Sequence, residues 1–116
     1  MRFMVLVKAT KQSEAGEMPS TELLTQMGEF NEQLVKAGVM EAGEGLHPSS
    51  KGARMTFSRD KRIVTDGPFA ETKEQLGGFY LIEAKDLNEA LQVAAKIPSA
   101  KIGSVEVRPV VDFSQS

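Results

Sequence analysis

The chain has 116 residues, of which 41% are apolar and 26% are charged, a balance typical of one folded domain. We therefore expect residues 1–116 to form a single domain. The net charge is -2, and the basic residues are interspersed with acidic ones, which disfavours a nucleic-acid surface. The absence of cysteine excludes disulfides, thiol nucleophiles and zinc sites built on thiolates. The apolar run near the start is too short for a membrane span and no signal-peptide cleavage site follows it, so we expect a cytoplasmic protein without membrane partners.

The first part of the chain predicts a strand, a helix and a second strand. Phe3 to Lys8 is apolar on both faces, which is typical of a central strand, and a polar loop follows it. A helix is predicted to begin after Ser20 and to end at Gly38. Its apolar residues recur at helical spacing, at Leu23, Met27, Phe30 and Leu34. Val39 to Leu46 predicts the second strand.

A hairpin and a third long strand come next. Apolar and polar residues alternate from Ala53 onwards around a polar turn at Ser58–Lys61, which predicts two antiparallel strands. Gly78 to Ala84 then forms a strand that is apolar on both faces. The order up to this point is β-α-β, a hairpin, and β.

A second helix and a final strand complete the chain. Asp86 and Glu89 have the spacing of a capping box at a helix start, and Pro98 ends that helix. Ser104 to Val111 is the last strand. The full order predicts an α+β, ferredoxin-like split βαβ fold with an inserted β-hairpin. In this fold both helices cover one face of an antiparallel sheet.

The second face of the predicted sheet carries apolar residues as well. In the first strand Met4 and Leu6 alternate with the set that packs on the helices, and they would form an exposed apolar patch on a monomer. Stacking two sheets face to face would cover this patch. We therefore expect an obligate homodimer with a cavity between its sheets.

One motif carries a resemblance to a known family. The stretch TDGPFAETKEQLGGFYLIE, with GEGLHPSSKGARMTFS before it and GSVEVRPV after it, resembles the DGPF branch of the YCII-related family over essentially the whole chain. Members of that family are similar to the dimeric α+β barrels. The resemblance implies enzymes that use a His-Asp pair, and it also implies an association of some members with sigma-factor-like transcription proteins.

The candidate catalytic residues are His47 and Asp66. Gly67 can take backbone angles barred to other residues and Pro68 fixes its own φ, which together make a rigid corner. The motif either only turns the chain or holds Asp66 rigidly at a cleft, as a general base requires. His47 is the only histidine and lies on a loop, where it is either a surface residue or the partner of Asp66. A lone histidine without cysteine disfavours a metal site, and we expect no metal and no cofactor.

Four further residues are candidates for substrate binding. Strand alternation places Arg54 and Arg108 opposite apolar neighbours, where they would line the cavity or form ion pairs, and a guanidinium suits an anionic group. Phe69 and Glu71 belong to the motif itself. Glu71 alternatively lies in a solvated turn.

Two functions therefore remain open. The first is a small cofactor-independent lyase or isomerase that uses His47 and Asp66 on a small anionic or oxygenated ligand. The second is a non-catalytic dimeric ligand-binding or regulatory module that acts with a transcription-associated partner. The sequence contains no nucleotide-binding motif and no nucleophile elbow, so no motif points to a third class of function.

Overall fold

A computed structural model describes residues 1–69, 75–98 and 103–113. Within these ranges the elements follow the predicted order, with one short helix in addition. The strands are β1 (Arg2–Lys8), β2 (Met40–Gly45), β3 (Ala53–Ser58), β4 (Lys61–Asp66), β5 (Leu76–Glu83) and β6 (Val105–Pro109). The helices are α1 (Lys11–Glu14), α2 (Thr21–Lys36) and α3 (Leu87–Ala95), and a 3-10 turn covers Ser49–Lys51.

Four strands form one antiparallel sheet in the order β2-β5-β1-β6. This order is that of a ferredoxin-like split βαβ fold, in which the first and third core strands lie at the centre. The hairpin β3–β4 forms a separate two-stranded sheet between β2 and β5 in the chain. The α+β fold with an inserted hairpin is thus confirmed.

Side-chain caps fix the helix starts that the sequence predicts. The Ser20 hydroxyl accepts a hydrogen bond from the Leu23 backbone N–H at 3.1 Å, and Asp86 accepts one from the Glu89 N–H at 2.9 Å. Gly38 has φ 72°, a left-handed conformation that ends α2. No helix in the described ranges is long and apolar enough to span a membrane.

The segment expected as a polar loop after β1 contains the short helix α1. Thr10 and Ser13 form a reciprocal cap, because each side chain accepts a hydrogen bond from the other residue's backbone N–H. A helix of four residues has no room for an apolar stripe, so hydrophobic periodicity could not reveal it. The helix α1 places Glu14 in contact with Ser49, in the loop that follows β2.

The core lies between the sheet and both long helices. Phe3 and Val5 from β1 and Ile82 from β5 are buried against Leu34 of α2 and Ala90 of α3. These sheet residues share one face because directly opposed strand residues point the same way, and Phe3 is paired with Ile82. Both helices therefore cover the same face, as predicted.

The other face of the sheet, which we call the open face, is apolar at its centre and charged at both edges, since Glu44 of the edge strand β2 is paired with Phe79. Met4 is paired with Leu81 on one side and with Arg108 on the other. The next row along the open face joins Leu6 to Phe79 and Glu106. The four apolar residues are half-buried, and the three charged ones, Arg108, Glu106 and Glu44, are exposed. The alternation that placed Arg108 away from the helices is confirmed.

The hairpin β3–β4 lies away from the helical core, and each of its strand residues is exposed. Its pairing places Met55 beside Val64, and Phe57 of the same face is 71% exposed. This apolar set therefore does not pack on the helices among the described residues. An isolated two-stranded hairpin is marginally stable in water, and an exposed apolar patch of this kind is typical of an interaction surface.

Candidate functional site

The corner after β4 is held by a close approach between two backbone segments. Gly67 and Pro68 are joined by a cis peptide bond, and the Gly67 N–H donates to the Gly52 carbonyl at 3.0 Å. A Cβ built on Gly67 would overlap the Ser49 carbonyl oxygen. The sequence suggested that Gly67 supplies unusual backbone angles, but its φ is not positive, and glycine is needed here for space.

Ser49 joins this corner to the rest of the molecule. Its hydroxyl accepts a hydrogen bond from the Phe69 backbone N–H at 3.1 Å and donates one to Glu14 Oε2 at 2.7 Å. The Ser49 backbone N–H also donates to Glu14 Oε2, at 3.1 Å. We call the set Glu14, Ser49, Gly52, Gly67 and Phe69 the Ser49 junction. It fixes three segments, α1, the loop after β2 and the corner, against one another.

Gln75 ties the far side of the corner to the sheet. Its side-chain Nε2 donates to the Phe69 carbonyl at 2.6 Å, and its own carbonyl accepts from the Ala9 N–H at 2.8 Å. The side chain is buried, and its Oε1 has no hydrogen-bond partner among the described residues. The corner is therefore anchored on both sides, since Ser49 holds the Phe69 N–H and Gln75 holds its carbonyl.

The structure brings the segments of His47 and Asp66 to this junction. His47 lies two residues before Ser49, and Asp66 is the last residue of β4, directly before Gly67. The loop that carries His47 starts at Leu46, whose N–H donates to the Gly77 carbonyl at 2.8 Å. Both candidate side chains are exposed, and no hydrogen bond or ion pair joins them in the part of the chain that is described. Ser49, rather than Asp66, accepts the backbone hydrogen bond of the turn.

Two of the four predicted binding residues meet at the corner. The Arg54 guanidinium lies over the Phe69 ring, with its central carbon 4.2 Å from the ring centroid, which is a cation–π contact. Arg54 lies on β3, opposite Thr65, one residue before Asp66. Arg54 and Phe69 thus hold a positive charge at the corner, while Asp66 is paired with Ala53, on the opposite face of the hairpin from Arg54.

Arg108 does not join the corner within one chain. Arg108 is exposed on the open face, paired with Met4, four residues along β1 from Lys8 and the junction end of the sheet. At about 3.3 Å per residue this is a separation of roughly 13 Å. Glu71 lies outside the described residues. Within the described ranges no group of three or more His, Cys, Asp or Glu side chains could hold a metal ion.

Sequence reasoning missed Glu14, Ser49 and Gln75. Glu14 and Ser49 are 35 residues apart in the chain, and neither belongs to the DGPF motif. A serine directly after a proline signals only a turn, and a glutamate in a polar segment signals only a solvated residue. Their roles depend on tertiary contacts that residue spacing does not encode.

Known proteins share both the sequence pattern and the fold. The YCII-related domain model matches residues 1–114. An uncharacterized protein from Rhizobium meliloti (strain 1021) is 41% identical over 90 residues, which cover 76% of this chain and 73% of that protein. A solved structure with the same fold is the 5-chloro-2-hydroxyhydroquinone dehydrochlorinase from Burkholderia phenoliruptrix AC1100, in complex with 2,5-dihydroxybenzoquinone. It matches 99% of this chain and 98% of its own with a TM-score of 0.54 and 17% identity, so this likeness shows the fold alone. The domain model matches nearly the whole chain, and the DGPF motif agrees with it. The chain belongs to the YCII-related domain family.

Proposed function

We propose that this protein is a small cofactor-independent enzyme of lyase or isomerase type, in which His47 and Asp66 transfer a proton on a small anionic or oxygenated substrate. The observation that carries the proposal is the Ser49 junction. It holds the His47 loop against the corner that follows Asp66 through the Phe69–Ser49 hydrogen bond and the Gly67–Gly52 backbone bond. Two further hydrogen bonds from Ser49 to Glu14 fix the same loop to α1. A general acid–base pair needs such fixed geometry, because proton transfer requires approach to hydrogen-bonding distance.

The surroundings of the pair suit an oxygenated substrate. Arg54, held over Phe69, offers a cation for a carboxylate, phenolate or enolate oxygen. The dehydrochlorinase of the same fold is named for an oxygenated aromatic compound, which supports a substrate of this class here. Proton removal next to a stabilised oxyanion is a step common to lyases and isomerases.

We propose further that the active protein is a homodimer. The open face presents Met4, Leu6, Phe79 and Leu81 without cover in one chain, and the hairpin presents Met55 and Phe57. Stacking two open faces would bury the four apolar residues of the open face and would enclose a cavity bordered by Arg108 and Glu106. In this arrangement residues 1–116 act as one domain, and we propose the cytoplasm as its location.

A deuterium-exchange screen tests the catalytic proposal without knowledge of the product. The protein is incubated in D2O with a panel of small phenols, hydroxy acids and keto acids, and mass spectrometry detects deuterium at carbon. We expect exchange with at least one compound, and we expect His47→Gln and Asp66→Asn each to slow it by roughly 10²- to 10⁴-fold. Exchange that persists unchanged in both variants would exclude this pair.

The alternative is a dimeric ligand-binding or regulatory module linked to transcription. One observation favours it: both candidate side chains are exposed and hydrogen-bonded to no described residue. A screen in which compounds bind but none exchanges deuterium would favour this second function. Binding with exchange would favour the enzyme.

A further inference from the structure

A cavity of about 310 Å³ lies on the helix side of the sheet, between α2 and the ends of β2 and β5. Met27 and Asn31 of α2 form one wall, and glycines form much of the opposite wall. We call it the glycine cavity; its glycines are Gly43, Gly45, Gly77 and Gly78. Its walls are formed mainly by α2 and by helix-facing residues of the sheet such as Tyr80, whereas the inter-sheet cavity proposed above lies on the open face. Phe79 and Glu44, of the open-face rows, also contribute to its lining.

Only some of these glycines are required by packing. A Cβ at Gly78 would stand 2.7 Å from the Glu44 carbonyl oxygen, and one at Gly43 would stand 3.2 Å from Met40 Sδ. A Cβ at Gly45, in contrast, would have no atom within 4 Å. Packing therefore does not require a glycine at position 45, and the space beside Gly45 is open. A volume of this size is at the lower end of the range of small-molecule sites.

Two polar side chains face each other in this cavity. Tyr80 is only 5% exposed, and its hydroxyl donates to Asn31 Oδ1 at 2.6 Å. The ring is held edge-on against Phe30, with the centroids 6.2 Å apart. Burial raises the pKa of Tyr80, so its hydroxyl keeps the proton that Asn31 accepts.

The Tyr80–Asn31 pair can still both accept a hydrogen bond from a ligand and donate one to it. Tyr80 uses its one donor on Asn31, so its oxygen still has lone pairs to offer. The Asn31 Nδ2 group has two N–H donors, and neither is used by a described residue. No lysine, arginine or histidine is among the residues that line the cavity, so a buried anion would lack a countercharge there.

We propose that the glycine cavity binds a small neutral molecule bearing a hydroxyl or carboxamide group, which accepts a hydrogen bond from the Asn31 amide and donates one to the Tyr80 oxygen. Apolar contacts with Val7 and Met27 would hold the remainder of the molecule. Neither His47 nor Asp66 belongs to this site, so a test of this site does not depend on the acid–base proposal.

The test uses phenol as a neutral probe and benzoate as a charged one. Phenol is titrated into the full-length protein while NMR follows the side-chain amide of Asn31. We expect saturable shifts with phenol and at least roughly tenfold weaker binding of benzoate, because an anion has no partner in the cavity. Shifts that do not saturate, or tighter binding of benzoate, would overturn the proposal.

Two variants that should weaken phenol binding and two that should not locate the binding site. Gly45→Val adds a side chain whose Cβ would have no atom within 4 Å, and it should weaken phenol binding at least about tenfold, whereas Gly28→Val, at an exposed position of α2, should leave it unchanged. Tyr80→Phe removes the acceptor and should weaken binding by a similar factor. Undiminished binding to Gly45→Val would place phenol elsewhere and refute the site. Unchanged binding to His47→Gln would confirm that the two sites are separate, and its loss there would contradict their independence.

Discussion

The Ser49 carbonyl oxygen occupies the place where a side chain of residue 67 would begin, so that Gly67 and Ser49 are in direct backbone contact. This contact explains the glycine of the DGPF motif by space rather than by backbone angles. It also links the two halves of the candidate site, because Ser49 is close in the chain to His47, and Gly67 is next to Asp66.

Gly67→Ala should therefore destabilise the protein by about 1–3 kcal/mol, since the added methyl group must displace the Ser49 backbone. Urea denaturation measures the change in the free energy of unfolding. Gly52→Ala is the matched control, because a Cβ at Gly52 would stand at an ordinary 3.6 Å from the same Ser49 oxygen. Equal stability of the two variants would mean that the corner relaxes freely and that the contact is not a constraint.

The open face predicts self-association. Size-exclusion chromatography with light scattering should give twice the chain mass of 12.6 kDa. A stable dimer of this kind should bury a total interface area above roughly 1,200 Å². Leu81→Glu places a charge in the centre of the open face and should produce monomers. Leu24→Glu, at an exposed position of α2, should leave the assembly intact. A monomeric wild-type protein at micromolar concentration would exclude stacked sheets.

Tyr80 should titrate above its ordinary pKa of about 10, because burial disfavours the phenolate. It is the only tyrosine, and there is no tryptophan, so phenolate absorbance reports this residue alone. A folded-state pKa above the unfolded one means that the native state binds the proton more tightly. Its stabilising contribution is complete below about pH 10 and is lost as the pH rises through the folded-state pKa.

Absorbance titrations in buffer and in urea measure this shift directly, and the midpoint should fall on unfolding. Tyr80→Phe should lack this component of the alkaline loss of stability. Coincident titration curves for the folded and unfolded protein would show that the ring is hydrated, contrary to its burial.

The sequence was sufficient to predict the fold because its signals are local. Ser20 and Asp86 cap their helices through residues three positions away, and the alternation in β6 correctly places Arg108 away from the helices. The hairpin turn at Ser58–Lys61 is likewise a local feature, with Arg59 in the left-handed conformation at φ 54°.

The candidate site was less accessible to prediction because its geometry is made by distant contacts. Ser49 meets Glu14 and Phe69 across 35 and 20 residues, and no periodic pattern connects such positions. The role of Gly67 was assigned to conformation because sequence alone cannot show that another backbone lies against it. The hydrogen bond from Tyr80 to Asn31 spans 49 residues and has the same origin.

The most direct test of the central proposal is the protonation pattern of the His47 ring. His47 is the only histidine, so its ring nitrogens give one unambiguous set of ¹⁵N signals. Under mildly alkaline conditions, a carboxylate that accepts from one ring nitrogen selects the tautomer protonated there. We expect Asp66→Asn to change the ¹⁵N shifts of both ring nitrogens, whereas Asp60→Asn, at the opposite end of the hairpin, should leave them as in the wild type. Identical ring spectra in all three proteins would mean that His47 and Asp66 do not interact, and would contradict the acid–base pair.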